Sequence, residues 1–183
     1  MSNEEMSELQ KQWKKEKEER KVWLRERLAL LWPAMESLGV TKAVVAFEGS
    51  GDSGEVGLHH MYVNGKKIRH EGCYVYLYAA GDNDEESEET SAFEGMYVPD
   101  YPTEVSNWVE SRSSWEYQTI KREEKLTSVL VSLGARALSE AHGGWEVNEG
   151  SHGKIIFDVE AGVTIDCNER VIAEDNYVTN IPR

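Results

Sequence analysis

The chain has 183 residues, a net charge of −14 and 39% apolar residues, enough for one compact domain with a real core. The acid excess argues against direct binding of nucleic acid or of an anionic membrane, both of which call for a basic face. No apolar run is long enough to span a bilayer, the start (Met1–Gln10) holds no secretory signal, and two distant cysteines, Cys73 and Cys167, fit neither a zinc site nor a disulfide framework, so a cytoplasmic protein is expected.

Glu4 to Leu38 lacks glycine and is rich in Glu, Lys, Gln, Arg and Leu, which predicts a helix. Leu24, Leu28, Leu31, Met35 and Leu38 recur at helical spacing, Pro33 is placed to kink it, and Gly39 to stop it. Before Trp23 the apolar residues thin out, so residues 1–38 read as a charged arm, able to pack on a partner or to pair with a second copy in a homodimer. The body is 39–183. Val40–Phe47 and Glu55–Val63 read as strands joined by the glycine-rich loop Glu48–Gly54, and Asn64-Gly65 is a hairpin turn. A further strand is expected over Cys73–Ala79. An acidic insertion, 81–103, follows.

Glu104 to His142 is predicted helical, with Thr103 as N-cap, a weak stretch at Ser111–Ser114, and an apolar stripe at Leu126, Leu130, Leu133 and Ala137. Gly143-Gly144 ends it. A second meander follows from Trp145, with a short strand at Tyr177–Ile181. The predicted class is α+β: an antiparallel sheet of two β-meanders packed with a long central helix, plus the N-terminal helical arm.

The acid is concentrated. Residues 1–31 sum to +1, so the other 152 carry −15, and eleven carboxylates lie between Arg69 and Arg112 with no Lys or Arg among them. Asp82, Asp84, Glu85, Glu86, Glu88 and Glu89, with Phe93 and Tyr97 close behind, suit a patch that steers and anchors a basic or nucleic-acid-binding protein partner.

Chemistry-bearing residues form a second set. In the loop Gly49-Ser-Gly-Asp-Ser-Gly54, Asp52 and neighbouring Glu55 would repel a phosphate but offer oxygens to Mg²⁺ or Ca²⁺. A hairpin turning on Ala161-Gly162-Val163 sets Asp158 opposite Asp166, a like-charged pair that a cation or Lys154 would offset. His142, with His152 and Asp158, could act as a catalytic group if the fold gathers them. His59 and His60, at adjacent strand positions, are expected on opposite faces. No GxSxG motif or activated cysteine is present.

Three stretches, Phe47–Glu55 (FEGSGDSGE), His142–Gly150 (HGGWEVNEG) and Gly153–Val159 (GKIIFDV), together resemble a family of small uncharacterised bacterial domains often carried on mobile elements or phages. The resemblance implies candidate positions at Asp52, Glu55, His142, Trp145 and Asp158, and no activity. The leading expectation is a non-catalytic, acidic interaction or regulatory protein without cofactor, in its specific form a phage- or plasmid-borne inhibitor of a host defence system. The alternative is a divalent-metal-dependent hydrolase or phosphoesterase built on Asp52, Glu55, Asp158 and Asp166 with His142.

Overall fold

The computed structural model describes residues 3–70, 93–109 and 114–170. Helix α1 (Asn3–Ser37) is followed by strands β1 (Val40–Ser50), β2 (Ser53–Val63) and β3 (Lys66–Arg69). Then come β4 (Tyr97–Val109) and β5 (Ser114–Lys125), helix α2 (Leu126–Ala141), and strands β6 (Ser151–Asp158) and β7 (Gly162–Glu169). The class is α+β, as the periodicity indicates. The expected strands at Cys73–Ala79 and Tyr177–Ile181 lie outside the described residues.

Two meanders fuse into one sheet of order β3-β2-β1-β6-β7, in which every neighbouring pair is antiparallel. The seam is β1 against β6, running from Lys42↔Asp158 to Glu48↔His152. One sheet face supplies Ala43, Val45, Phe47, Ile155 and Phe157, all fully buried or nearly so. Against them pack Leu31, Ala34 and Met35 of α1 and Leu126, Val129, Leu130, Leu133 and Leu138 of α2. Gly134 brings α2 close: a Cβ there would sit 3.3 Å from Val45.

Helix α1 is about 52 Å long at 1.5 Å per residue. Only its C-terminal half joins the core. Every residue from Met6 to Lys15 is exposed, so the arm extends past the body.

The described residues of the segment, 104–109 and 114–125, are not helical. They form a two-stranded ribbon, β4 with β5, paired from Tyr97↔Lys125 to Val109↔Ser114 and separate from the main sheet. The predicted long helix shrinks to α2, which starts at Leu126; Lys125 precedes it without a side-chain cap, and Thr103 sits inside β4. The physical reason is in the sequence. Trp115, Tyr117 and Thr119 alternate with polar residues, a period of two that suits a strand.

Two smaller expectations also change. The β6–β7 hairpin turns on Val159-Glu160-Ala161, so Asp158 pairs with Gly162 and Asp166 with Lys154; Asp158 and Asp166 are not opposite each other. Asp158 selects this turn by accepting the Glu160 and Ala161 N–H groups, both at 3.1 Å. In β2, the register shifts between Val44↔His60 and Val45↔Leu58, leaving His59 as an extra residue. That bulge re-aims the side chain, and the buried His59 and His60 rings meet with their Nδ1 atoms 2.7 Å apart instead of pointing to opposite faces.

Candidate functional site

The glycine-rich segment is not an open loop. Strands β1 and β2 run to Ser50↔Ser53 and reverse over Gly51-Asp52, with Gly51 at φ +75°, as a two-residue hairpin with glycine first requires. The glycines on either side make room for Trp145. A Cβ on Gly54 would lie 2.1 Å from Trp145 Cη2, and one on Gly49 would lie 2.7 Å from the Glu146 backbone. The indole also meets the Phe47 ring edge-on, with centroids 5.6 Å apart.

Backbone bonds complete the clasp: Gly51 N–H donates to Asn148 O at 2.7 Å and Asn148 N–H to Gly51 O at 2.9 Å. Arg170 donates from Nη1 to Gly49 O at 3.0 Å and from Nη2 to the Glu48 carboxylate. That second contact offsets a like-charged pair, because Glu48 faces Glu55 across the strands. The stretches 47–55 and 142–150 are thus two halves of one contact, and their composition follows from it.

The chemistry-bearing candidates do not gather around this clasp. Asp52 and Glu55 lie at the hairpin tip and are exposed. His142 follows α2, its backbone N–H donating to Leu138 O, and lines a shallow cavity of about 170 Å³ with Trp145, Ser151, Cys167 and Arg170. Asp158 sits at the other end of the sheet seam; the six residue steps between Lys42 and Glu48 put it roughly 20 Å away. There its carboxylate receives Lys42 Nζ at 3.1 Å. The Ala161 N–H, then Lys42, then the Glu160 N–H hold its pKa below the ordinary carboxylate value. Asp166 is across from Lys154 on β6. Among the described residues no group of three His, Cys, Asp or Glu side chains could hold a metal ion, and no hydrogen bond joins His142 to His152 or Asp158. The arrangement leaves Asp158 a turn-forming residue and His142 a helix-terminal one.

The acidic candidates Asp82, Asp84, Glu85, Glu86, Glu88 and Glu89 lie outside the described residues. Phe93 is not presented to solvent: it is buried in the core, its ring centroid 5.4 Å from that of His70. Tyr97 is exposed at the start of β4.

Large apolar side chains are exposed on two elements. On α1, Met6, Leu9 and Trp13 are exposed at spacings of three and four, one stripe of the projecting half. On the ribbon every residue from 115 to 123 is exposed, including Trp115, Tyr117 and Ile120, with Tyr117 at 74%. A two-stranded ribbon is marginal in water without a covering layer. The sequence signal for this surface was the alternation at 115–119, concealed by a run of good helix formers at 121–125.

Among the described residues, a five-stranded antiparallel sheet backed by two helices, with a helical arm and a ribbon leaving the body, defines an α+β domain. The chain belongs to a family of unknown function (DUF6878), whose model matches residues 73–181. That span takes in the ribbon, α2, β6 and β7, and the Trp145 half of the clasp. Comparison with curated proteins and with solved structures found no match. Among the described residues no helix is long and apolar enough to cross a membrane.

Proposed function

We propose that the protein is a non-catalytic interaction module that binds a basic protein, using the ribbon and the helical arm as anchors. The observation that carries this reading is the pair of elements leaving the core with large apolar side chains exposed: Met6, Leu9 and Trp13 on one, Tyr117 and Ile120 on the other. Apolar anchors of this size supply most of the energy at protein interfaces. Charge selects the partner's sign: a chain at −14 repels its own copies and attracts a basic surface, raising the encounter rate. The basic proteins most often met in a cytoplasm are those that bind nucleic acid. An inhibitor that occupies such a protein's basic face, carried by a phage or plasmid against a host system, is the specific form of the proposal.

Photo-crosslinking residues placed at positions 13 and 117, with position 164 on β7 as control, test it in host cells. The expected result is one basic protein captured from both arms and not from the control. After purification of that protein, Trp13→Ser and Tyr117→Ser should each weaken the reconstituted complex by about tenfold or more, and raising the salt should weaken it further. Both variants should keep their stability to within about 0.5 kcal/mol, as exposed positions do. Crosslinks only to second copies of the chain, the same capture at position 164, or full affinity in both variants would overturn the reading.

A further inference from the structure

A cavity of about 610 Å³ lies where α1, α2 and the root of the ribbon converge. Its wall includes Trp23 and Arg27 from α1, Tyr101 and Thr103 from β4, and Arg136 from α2. Two guanidinium groups address one indole: Arg27 lies 4.9 Å and Arg136 5.4 Å from the centroid of the Trp23 ring.

The charge pattern here runs against the rest of the molecule. The chain has 34 side-chain carboxylates, yet among the described residues Arg136 makes no ion pair and Arg27 makes one long one. Arg27 has a side chain only 11% exposed, and its nearest carboxylate, the solvent-facing Glu26, is 3.9 Å from Nη1. Its Nε is buried with no hydrogen-bond partner. Glu124, in the cavity wall, is engaged by the ribbon: its Oε2 accepts Arg122 Nε at 3.0 Å, Arg122 Nη2 at 2.8 Å and Thr103 Oγ1 at 3.2 Å. Glu104, also in the wall, is exposed and makes no ion pair among the described residues. A guanidinium withdrawn from water with one buried N–H unsatisfied is costly, and a planar fork of donors matches a carboxylate or phosphate.

We infer that this cavity binds a small organic anion, whose carboxylate or phosphate is gripped by Arg27 and Arg136, with the Tyr101 and Thr103 hydroxyls beside it. The volume suits a metabolite-sized ligand. The site is independent of the docking surfaces, since it uses neither the exposed stripe of α1 nor the outer half of the ribbon. Because its wall draws on three elements, an occupant ties the ribbon to both helices.

The test is calorimetry on the full chain at low salt with three probes: inorganic phosphate, adenosine 5′-monophosphate and citrate. At least one should bind saturably, and which one does so separates phosphate from carboxylate as the recognised group. Arg136→Gln, an exposed change that leaves folding intact, should weaken that probe by about tenfold or more, and Arg27→Gln likewise. Arg27→Lys keeps the charge and stem while losing the fork, and should also weaken it. Lys154→Gln, a charge-matched control on β6, should not. Absence of binding by all three probes at about 10 mM, or equal loss in Lys154→Gln, overturns the proposal.

Discussion

Gly54→Ala is the sharpest probe of the clasp. The added methyl would sit 2.1 Å from Trp145 Cη2 and 2.4 Å from Cζ3, well inside contact distance, so the indole must move off the hairpin. Overpacking of this kind costs about 1–3 kcal/mol. Alanine recovers about 0.4–1 kcal/mol by restricting the unfolded chain, a smaller term, so the variant should be less stable overall. For a chain of this size that is a fall in Tm on the order of 2–4 °C per kcal/mol. Trp145→Ala removes a half-buried indole and its Phe47 contact, and should cost about 2 kcal/mol or more. The decisive measurement is the double variant in urea. Once the indole is gone the methyl loses its three nearest contacts, all of them indole atoms, so the costs should fall short of additive by about 1 kcal/mol or more. Strict additivity, or a Gly54→Ala variant as stable as the parent, would refute the claim that this glycine exists to seat Trp145.

Further predictions concern ionisation. Asp158 is held below its ordinary pKa by the Ala161 N–H, Lys42 and the Glu160 N–H, so its contribution to stability is present above the unfolded carboxylate value near 3.8 and is lost as pH falls through the folded one. Asp158→Asn should therefore destabilise the protein at pH 7, and the difference should shrink as the pH is lowered through the acid range, by urea unfolding across that range. Burial raises the Tyr101 phenol above 10.0 while the charge on Arg27 opposes the rise, so ultraviolet titration of Arg27→Gln should show this tyrosine ionising at still higher pH than in the parent.

Much of the fold was legible because it rests on local pattern. The stripe at Leu126, Leu130, Leu133 and Ala137 could only be one buried helix face, and Asn64-Gly65 could only be a tight turn, which it is, both residues having positive φ. The ribbon was misread because Lys121 to Lys125 favours helix one residue at a time, and only the cross-strand partner decides otherwise. The β6–β7 register turned on one side chain: two three-residue turns satisfied the same alternation, and the Asp158 carboxylate chose between them. Chemistry was less legible than pattern. Nothing local to Gly54 announces an indole from residue 145, and nothing local to Arg27 announces Arg136, because both meetings depend on how α2 lies across the sheet. The expected cluster of Asp52, His142 and Asp158 failed for the same reason: the β1–β6 seam places its members at opposite ends.

Helix α1 is half inside the molecule and half outside it, and that division changes what holds the outer half together. A free peptide of such length must first form a nucleus, at an equilibrium penalty on the order of a thousandfold. Here Leu31, Ala34 and Met35 already hold the helix in the core, so the turns before Trp23 need only propagate from a template. Their order is borrowed from the core and weakens with distance from it. The arm is a one-ended helix, able to shorten or extend by a turn at small cost, and a partner that covers Trp13 and Leu9 would fix its length rather than create it.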